Sequence, residues 1–232
     1  MSDGSYPKIR FDKATKNNCF FNFLREFRDD TIYLFLDNVK EETWKYWYEW
    51  AVSLENVHPR RSYGGSSAGG FRIVFEEALD LDPSDMVYFV EDDYIHLLGA
   101  RKVLLEGLER SPYVTLYNHP DKYIPASKGG NPFIGDDGAE VTKVFVTDSS
   151  YWMMTNSTTM TFASHVSVLK EDIDIWKKYT MGTYPFDMQI FLDLRNKGRG
   201  LIQPIPTKAT HGEPRWAAHL HGTGISNWEE VL

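Results

Sequence analysis

The chain predicts an α/β fold: a central mixed, mostly parallel sheet flanked by helices, with a small antiparallel sheet in the second half. Three observations predict it. Short β-branched and aromatic runs alternate with helix-length segments through the first half, the signature of strand–helix–strand units. Two of these runs, TIYLFLD at 31–37 and MVYFVEDD at 86–93, end in acids. The segments 143–146 and 151–155 are short and close together, as antiparallel neighbours are.

Taken in order, 8–11 reads as a short first strand. Asn17 and Asn18 offer N-cap chemistry for a helix through 28, with Phe20, Phe21, Leu24 and Phe27 at helical spacing. Residues 31–36 form a second strand, and 41–54 a helix with Trp44, Trp47, Tyr48 and Ala51 on one face. A strand over 57–63 leads through GGSSAGG to a helix over 71–79. The apolar run 86–90 reads as a strand covered on both faces, central in a parallel sheet. A helix over 97–109 and a strand over 113–117 follow. Residues 121–137, rich in Gly, Pro, Asn and Asp, form a long loop of the kind that carries function. Beyond the antiparallel pair, 158–163 extends its sheet. Helices cover 166–179 and 185–196, the second opened by Pro185 with Phe186, Ile190, Phe191 and Leu194 facing the core. A last strand covers 201–205.

With 232 residues, 42% of them apolar, one sizeable core is affordable, so 1–232 reads as a single domain of two fused halves, 1–118 and 119–232. A net charge of −8 argues against nucleic acid and against a polybasic membrane patch. The single cysteine, Cys19, sits in the apolar run CFFNFL and reads as a buried structural thiol in a reducing compartment. No apolar stretch reaches the roughly 20 residues that cross a bilayer, and MSDGSYPK has no signal-peptide core. These readings imply a soluble, cytoplasmic protein.

Glu91, Asp92 and Asp93 stand together at a strand end, where like charges repel unless a divalent cation sits among them. The competing reading is a solvated acidic turn. In α/β sheets ligands sit at the carboxyl ends of strands, which places Asp37 in the same crevice. The loop 64–70 lacks both the P-loop ending and G-x-G-x-x-G, but Arg72 behind it can reach a phosphate. Asp187 opens a helix, where the dipole favours a carboxylate. Of three C-terminal histidines, His211 is the one assigned to an oxygen-rich metal site with the acids; His219 and His221 make only a weak zinc signal.

The ordered blocks, from the strand ending at Asp37 through the small-residue helix entry to VEDDY, resemble nucleotide-sugar glycosyltransferases of the GT-A (Rossmann-like) fold. The segment YPFDMQIFLDLRNKGRG at 184–200 is similar to the later block of inverting family-2-like enzymes, and TTMTFASHVSVL at 158–169 to their acceptor-side block. The resemblance implies transfer of a sugar from a nucleotide diphosphate, UDP favoured, to a glycan hydroxyl, with 1–118 binding the donor and 119–232 the acceptor. It implies Asp93 and His211 on Mn²⁺ or Mg²⁺; Glu91, Asp92, Asp37, Arg10, Phe11 and Arg72 on the donor; and Asp187 as the base. Trp152, Tyr151 and Trp216 are the candidates for stacking on the acceptor. Two departures stand out: the motif begins with Glu, and RFDKATKNN replaces the usual first loop. A sugar-phosphate nucleotidyltransferase and a non-catalytic carbohydrate-binding module are the alternatives.

Overall fold

The computed structural model describes residues 1–4 and 8–232. The first half runs α1 (Lys16–Phe27), β1 (Ile32–Asp37), α2 (Glu41–Ala51), β2 (Val57–Ser62), α3 (Ser67–Leu79), β3 (Met86–Phe89), β4 (Tyr94–His96), α4 (Ala100–Leu108) and β5 (Tyr113–Val114), the expected alternation except that β4 is added and no strand precedes α1 among the described residues. The long loop contains two 3₁₀ turns, Pro120–Tyr123 and Ala126–Lys128. Then come β6 (Val144–Val146), β7 (Tyr151–Thr155), β8 (Phe162–His165), α5 (Val166–Glu171), α6 (Ile173–Thr180), α7 (Asp187–Asn196), β9 (Leu201–Ile205) and β10 (Ala209–His211).

The sheet is mixed, and mostly antiparallel rather than mostly parallel. Six strands run in the order β3-β8-β5-β9-β7-β6, with only β5–β9 parallel among them. The reason is β8, which enters between β3 and β5 and runs antiparallel to both. β1 and β2 form a separate parallel pair, and β4 pairs antiparallel with β10. β3 is therefore not a central parallel strand; it ends the six-stranded sheet, and Met86 is 49% exposed.

Several local readings shift for identifiable reasons. Residues 8–11 form no strand, because Phe11 N–H donates to Gly212 O and the segment lies along the C-terminal region instead. The cap of α1 is Thr15, whose hydroxyl accepts from Asn18 N–H, so the asparagines fall inside the helix. Ser66 caps α3 by accepting from Gly69 N–H, which starts that helix earlier than the apolar pattern does. The predicted helix over 166–179 breaks at Asp172, whose carboxylate is held by Lys197, Arg199 and Tyr113. Tyr48 and Phe186 face outward, at 44% and 54% exposure, rather than joining the cores beside Trp47 and Ile190.

Helices cover both faces of the six-stranded sheet. On one, α3, α6 and α7 pack around Trp176, which stacks on Phe162 with centroids 4.7 Å apart. On the other, α1 and α4 pack over Tyr94, Tyr117 and Trp152. Between β2 and α3, a Cβ on Gly64 or Gly69 would collide with the other's backbone, so the glycines of 64–70 serve close packing.

Candidate metal centre and the crevice around it

The β4–β10 pairing builds the centre. Its register sets His211 opposite Tyr94, immediately beside Asp93. Gly212 lets the strands approach: its N–H donates to Asp93 O at 2.7 Å, and a Cβ there would lie 2.8 Å from the same carbonyl. Glu91, Asp93 and His211 consequently bring one potential ligand atom each within 4.8 Å of one another. His211 Nε2 is 3.5 Å from Asp93 Oδ1 and 3.9 Å from Glu91 Oε2.

Asp93 is 1% exposed, and its Oδ1 has no hydrogen-bond partner. Its Oδ2 accepts from Arg10 Nη2 at 3.0 Å, Arg10 Nε at 3.2 Å and Lys8 Nζ at 3.3 Å. A buried carboxylate oxygen without a donor is costly, so Oδ1 is the atom a cation would satisfy. Burial, and next the Asp93 charge, push Glu91 up to about 8. Burial lowers His211, leaving a neutral imidazole, the form that ligates metal. Its Nδ1 accepts from Glu213 N–H at 3.2 Å, which puts the ring proton on Nε2. Ligation through Nε2 would put the ring proton on Nδ1 and so would require the Glu213 N–H bond to be given up. Two carboxylates and one imidazole fit Mn²⁺ or Mg²⁺ better than a soft metal.

Asp92 is outside this cluster. It pairs with Lys16 Nζ at 2.8 Å; burial works to raise its pKa, but the Met1 ammonium and Lys16 hold it below the ordinary value. Asp37 accepts from Ser62 Oγ at 3.0 Å and Gly64 N–H at 2.6 Å through Oδ1, and from Asn38 at 2.8 Å through Oδ2. Glu91 and Asp92 line one cavity with Met1, and Asp37 meets Met1 through its own N–H, which donates to Met1 O at 2.7 Å. Arg72 spends its guanidinium on the Thr180 and Gly182 carbonyls, fastening α3 to the turn before α7 rather than facing the acids. Phe11 packs against the core beside α1, and Arg10 is an Asp93 partner.

Asp187 occupies the first turn of α7 and accepts from Met188 N–H. Burial pushes it up to about 6, against the pull of that hydrogen bond and of the Lys122 charge. The Asp187 charge is a minor contributor to raising Glu91. Lys122 is fully buried, donates to Ser157 O at 3.0 Å, and lies 3.9 Å from Asp121 Oδ1. Asp121 in turn sits 2.7 Å from His119 Nδ1.

Of the aromatic residues, Trp152 is 0% exposed, donates from Nε1 to Thr147, and packs against Gly107; it is a core residue with no face for a ligand. Its position on β7 alternates with Tyr151, which is 61% exposed. Trp216 is half-buried, its ring 5.3 Å from His119 and under Arg215. Lys8, Lys16, His119, Asp121 and Lys122 went unnoticed in the sequence. The run HPDK directly after the buried strand at 113–117 was the available signal for the last three.

A search of known protein families finds no match to this chain, and a search of curated proteins finds none either. Among the described residues no helix is long and apolar enough to cross a membrane.

Proposed function

We propose that this chain is a metal-dependent glycosyltransferase with a GT-A-like arrangement. It moves a sugar from a nucleotide diphosphate, UDP favoured, to a glycan hydroxyl. The observation that carries the reading is the Glu91–Asp93–His211 cluster with its unpartnered Asp93 Oδ1. Glu91, Asp93 and His211 would hold Mn²⁺ or Mg²⁺, and such an ion neutralises charge developing on a leaving diphosphate.

The remaining work falls to side chains. Lys8 and Arg10 engage Asp93 Oδ2, which fixes the carboxylate plane and leaves Oδ1 free. Asp187 takes the proton of the acceptor hydroxyl as that oxygen attacks, giving inversion at the sugar carbon. A base near pKa 6 is ionised at neutral pH and still basic enough to accept a proton, the regime in which assistance contributes roughly 10²–10⁴ in rate. Lys122 keeps that carboxylate ionised from below. Of the aromatic candidates for the acceptor sugar, Tyr151 is 61% exposed and Trp216 is half-buried against His119, so these two are left to stack on it; Trp152 has no part in it.

The test is thermal denaturation with UDP, GDP, ADP and CDP, each with and without Mn²⁺. A nucleotide at about 100 times its Kd should stabilise by about 2.7 kcal/mol, and only with metal present. Absence of any metal-dependent shift across the set would rule the reading out.

A further inference from the structure

β3 carries a contradiction. Its apolar run is that of a strand covered on both faces, yet it ends the six-stranded sheet, and its outer edge has no strand among the described residues. β1 is in a matching position: β2 holds one edge, while the other meets Met1 and Ser2. Between these two edges lies a cavity of about 590 Å³, lined by Tyr33 and Phe35 of β1, Val87 and Phe89 of β3, Phe23 of α1 and Ala78 of α3. Strand edges bound it on two sides and apolar helix faces on the other two. That is the environment of an interior strand.

Met1 shows the direction of an occupant. Asp37 N–H donates to Met1 O at 2.7 Å, the Met1 amino group donates to Phe35 O at 2.5 Å, and Ser2 bridges Asp37 in the parallel sense. Alternate residues of a strand turn their backbone groups to the same edge, so Tyr33 points its N–H and C=O into the cavity. A residue attached to the Met1 nitrogen would therefore continue beside Phe35 and Tyr33. The amino group is buried, and burial pulls its pKa below the ordinary value despite the facing Asp92. A buried ammonium is costly to desolvate, whereas an amide N–H can make the same bond to Phe35 O without a charge.

We propose that this cavity is a strand position, filled by an extended polypeptide segment that runs parallel to β1 and joins Met1 through its nitrogen. The segment is apolar toward both helix layers and about as long as β1, which has six residues. With it in place β1–β2 and the six-stranded sheet become one continuous sheet. β3 then acquires a neighbour on the edge that the sheet order leaves unpaired among the described strands. The C-terminal end of the added strand lies beside Asp92 and Glu91, so it also completes one wall of the crevice.

The test extends the full chain before Met1 by a Val/Ile-rich stretch matching β1 in length, and compares it with an equal Gly-Ser stretch. An alternating Val-Thr stretch, less prone to aggregate, serves as a second strand-forming version. The apolar extension should raise Tm by at least about 5 °C over the Gly-Ser one, with a smaller gain for Val-Thr. Amide exchange at Tyr33 and Phe35 should slow with both strand-forming versions. Equal Tm for all three extensions would overturn the proposal. So would a Tm gain without slowed exchange at Tyr33 and Phe35, since the extension would then be binding elsewhere. Neither outcome depends on the transferase reading.

Discussion

Asp93 in the first half of the chain pairs directly with cations, whereas Asp187 in the second only feels the charge of one, and the cations differ in kind. Asp93 meets Lys8 and Arg10, whose side chains are 31% and 27% exposed and can swing away into solvent. Asp187 feels Lys122, which is completely buried and tied to Ser157 O. The first pairing is exchangeable: a divalent ion can take over part of the neutralisation without leaving a buried charge behind. The second cation cannot swing out into solvent, although burial also lowers the pKa of Lys122 itself, and its charge pulls the Asp187 pKa down. One centre is therefore suited to holding a cation and the other to handling a proton.

The largest expected effect breaks the first half of that contrast. Asp93→Ala removes the carboxylate that carries the unpartnered oxygen and leaves Lys8 and Arg10 facing His211 and Glu91. Transfer should fall by on the order of 10³ or more, since several kcal/mol of transition-state stabilisation travel with a bound divalent ion. Initial rates across a Mn²⁺ titration would show it, and the metal-dependent Tm shift with nucleotide should vanish as well. If the shift survives, the ion is held elsewhere.

Asp187→Asn comes next and separates the two centres. It should lower kcat by roughly 10²–10⁴ while the metal-dependent Tm shift with nucleotide persists. A variant that keeps full activity would remove Asp187 from the chemistry and leave the metal centre untouched. Product anomeric configuration, read by NMR coupling, checks inversion separately.

Sequence patterning revealed the elements better than their assembly. β7 and β9 match their apolar runs residue for residue, because each buries regularly against neighbours on the sheet. β4 and β10 escaped notice, since strands of three residues are too short to display a period. Yet that pair sets the site, by laying His211 alongside Asp93. The acids and His211 were readable from charge and chemistry alone, because buried like charges demand a partner. Asp92 is expected on the donor rather than the metal, and it does stand apart from the cluster, paired with Lys16, a neighbour the sequence does not reveal. Trp152 was misread because composition says nothing about which of two adjacent aromatic residues points inward. Lys122 was missed for the opposite reason: a lysine in a polar loop looks solvated until tertiary packing closes over it.

Lys122→Met offers the finest test of the contrast. The substitution keeps an unbranched side chain of similar length and removes the charge. With Lys122 present, burial raises Asp187 to about 6 while the ammonium pulls it down. Removing the ammonium leaves burial less opposed, so the Asp187 pKa must rise. The proposed reaction needs ionised Asp187, so activity is lost as pH falls through that pKa. The acid limb of log kcat/KM should therefore move to higher pH, by about half to one unit. At pH 7 the rate penalty is then less than about threefold, because a large share of Asp187 is still ionised. Below pH 6 the gap to the unsubstituted protein widens toward the full shift. A limb that stays in place would mean that Lys122 does not tune Asp187, and that its burial serves only the packing beneath Ser157.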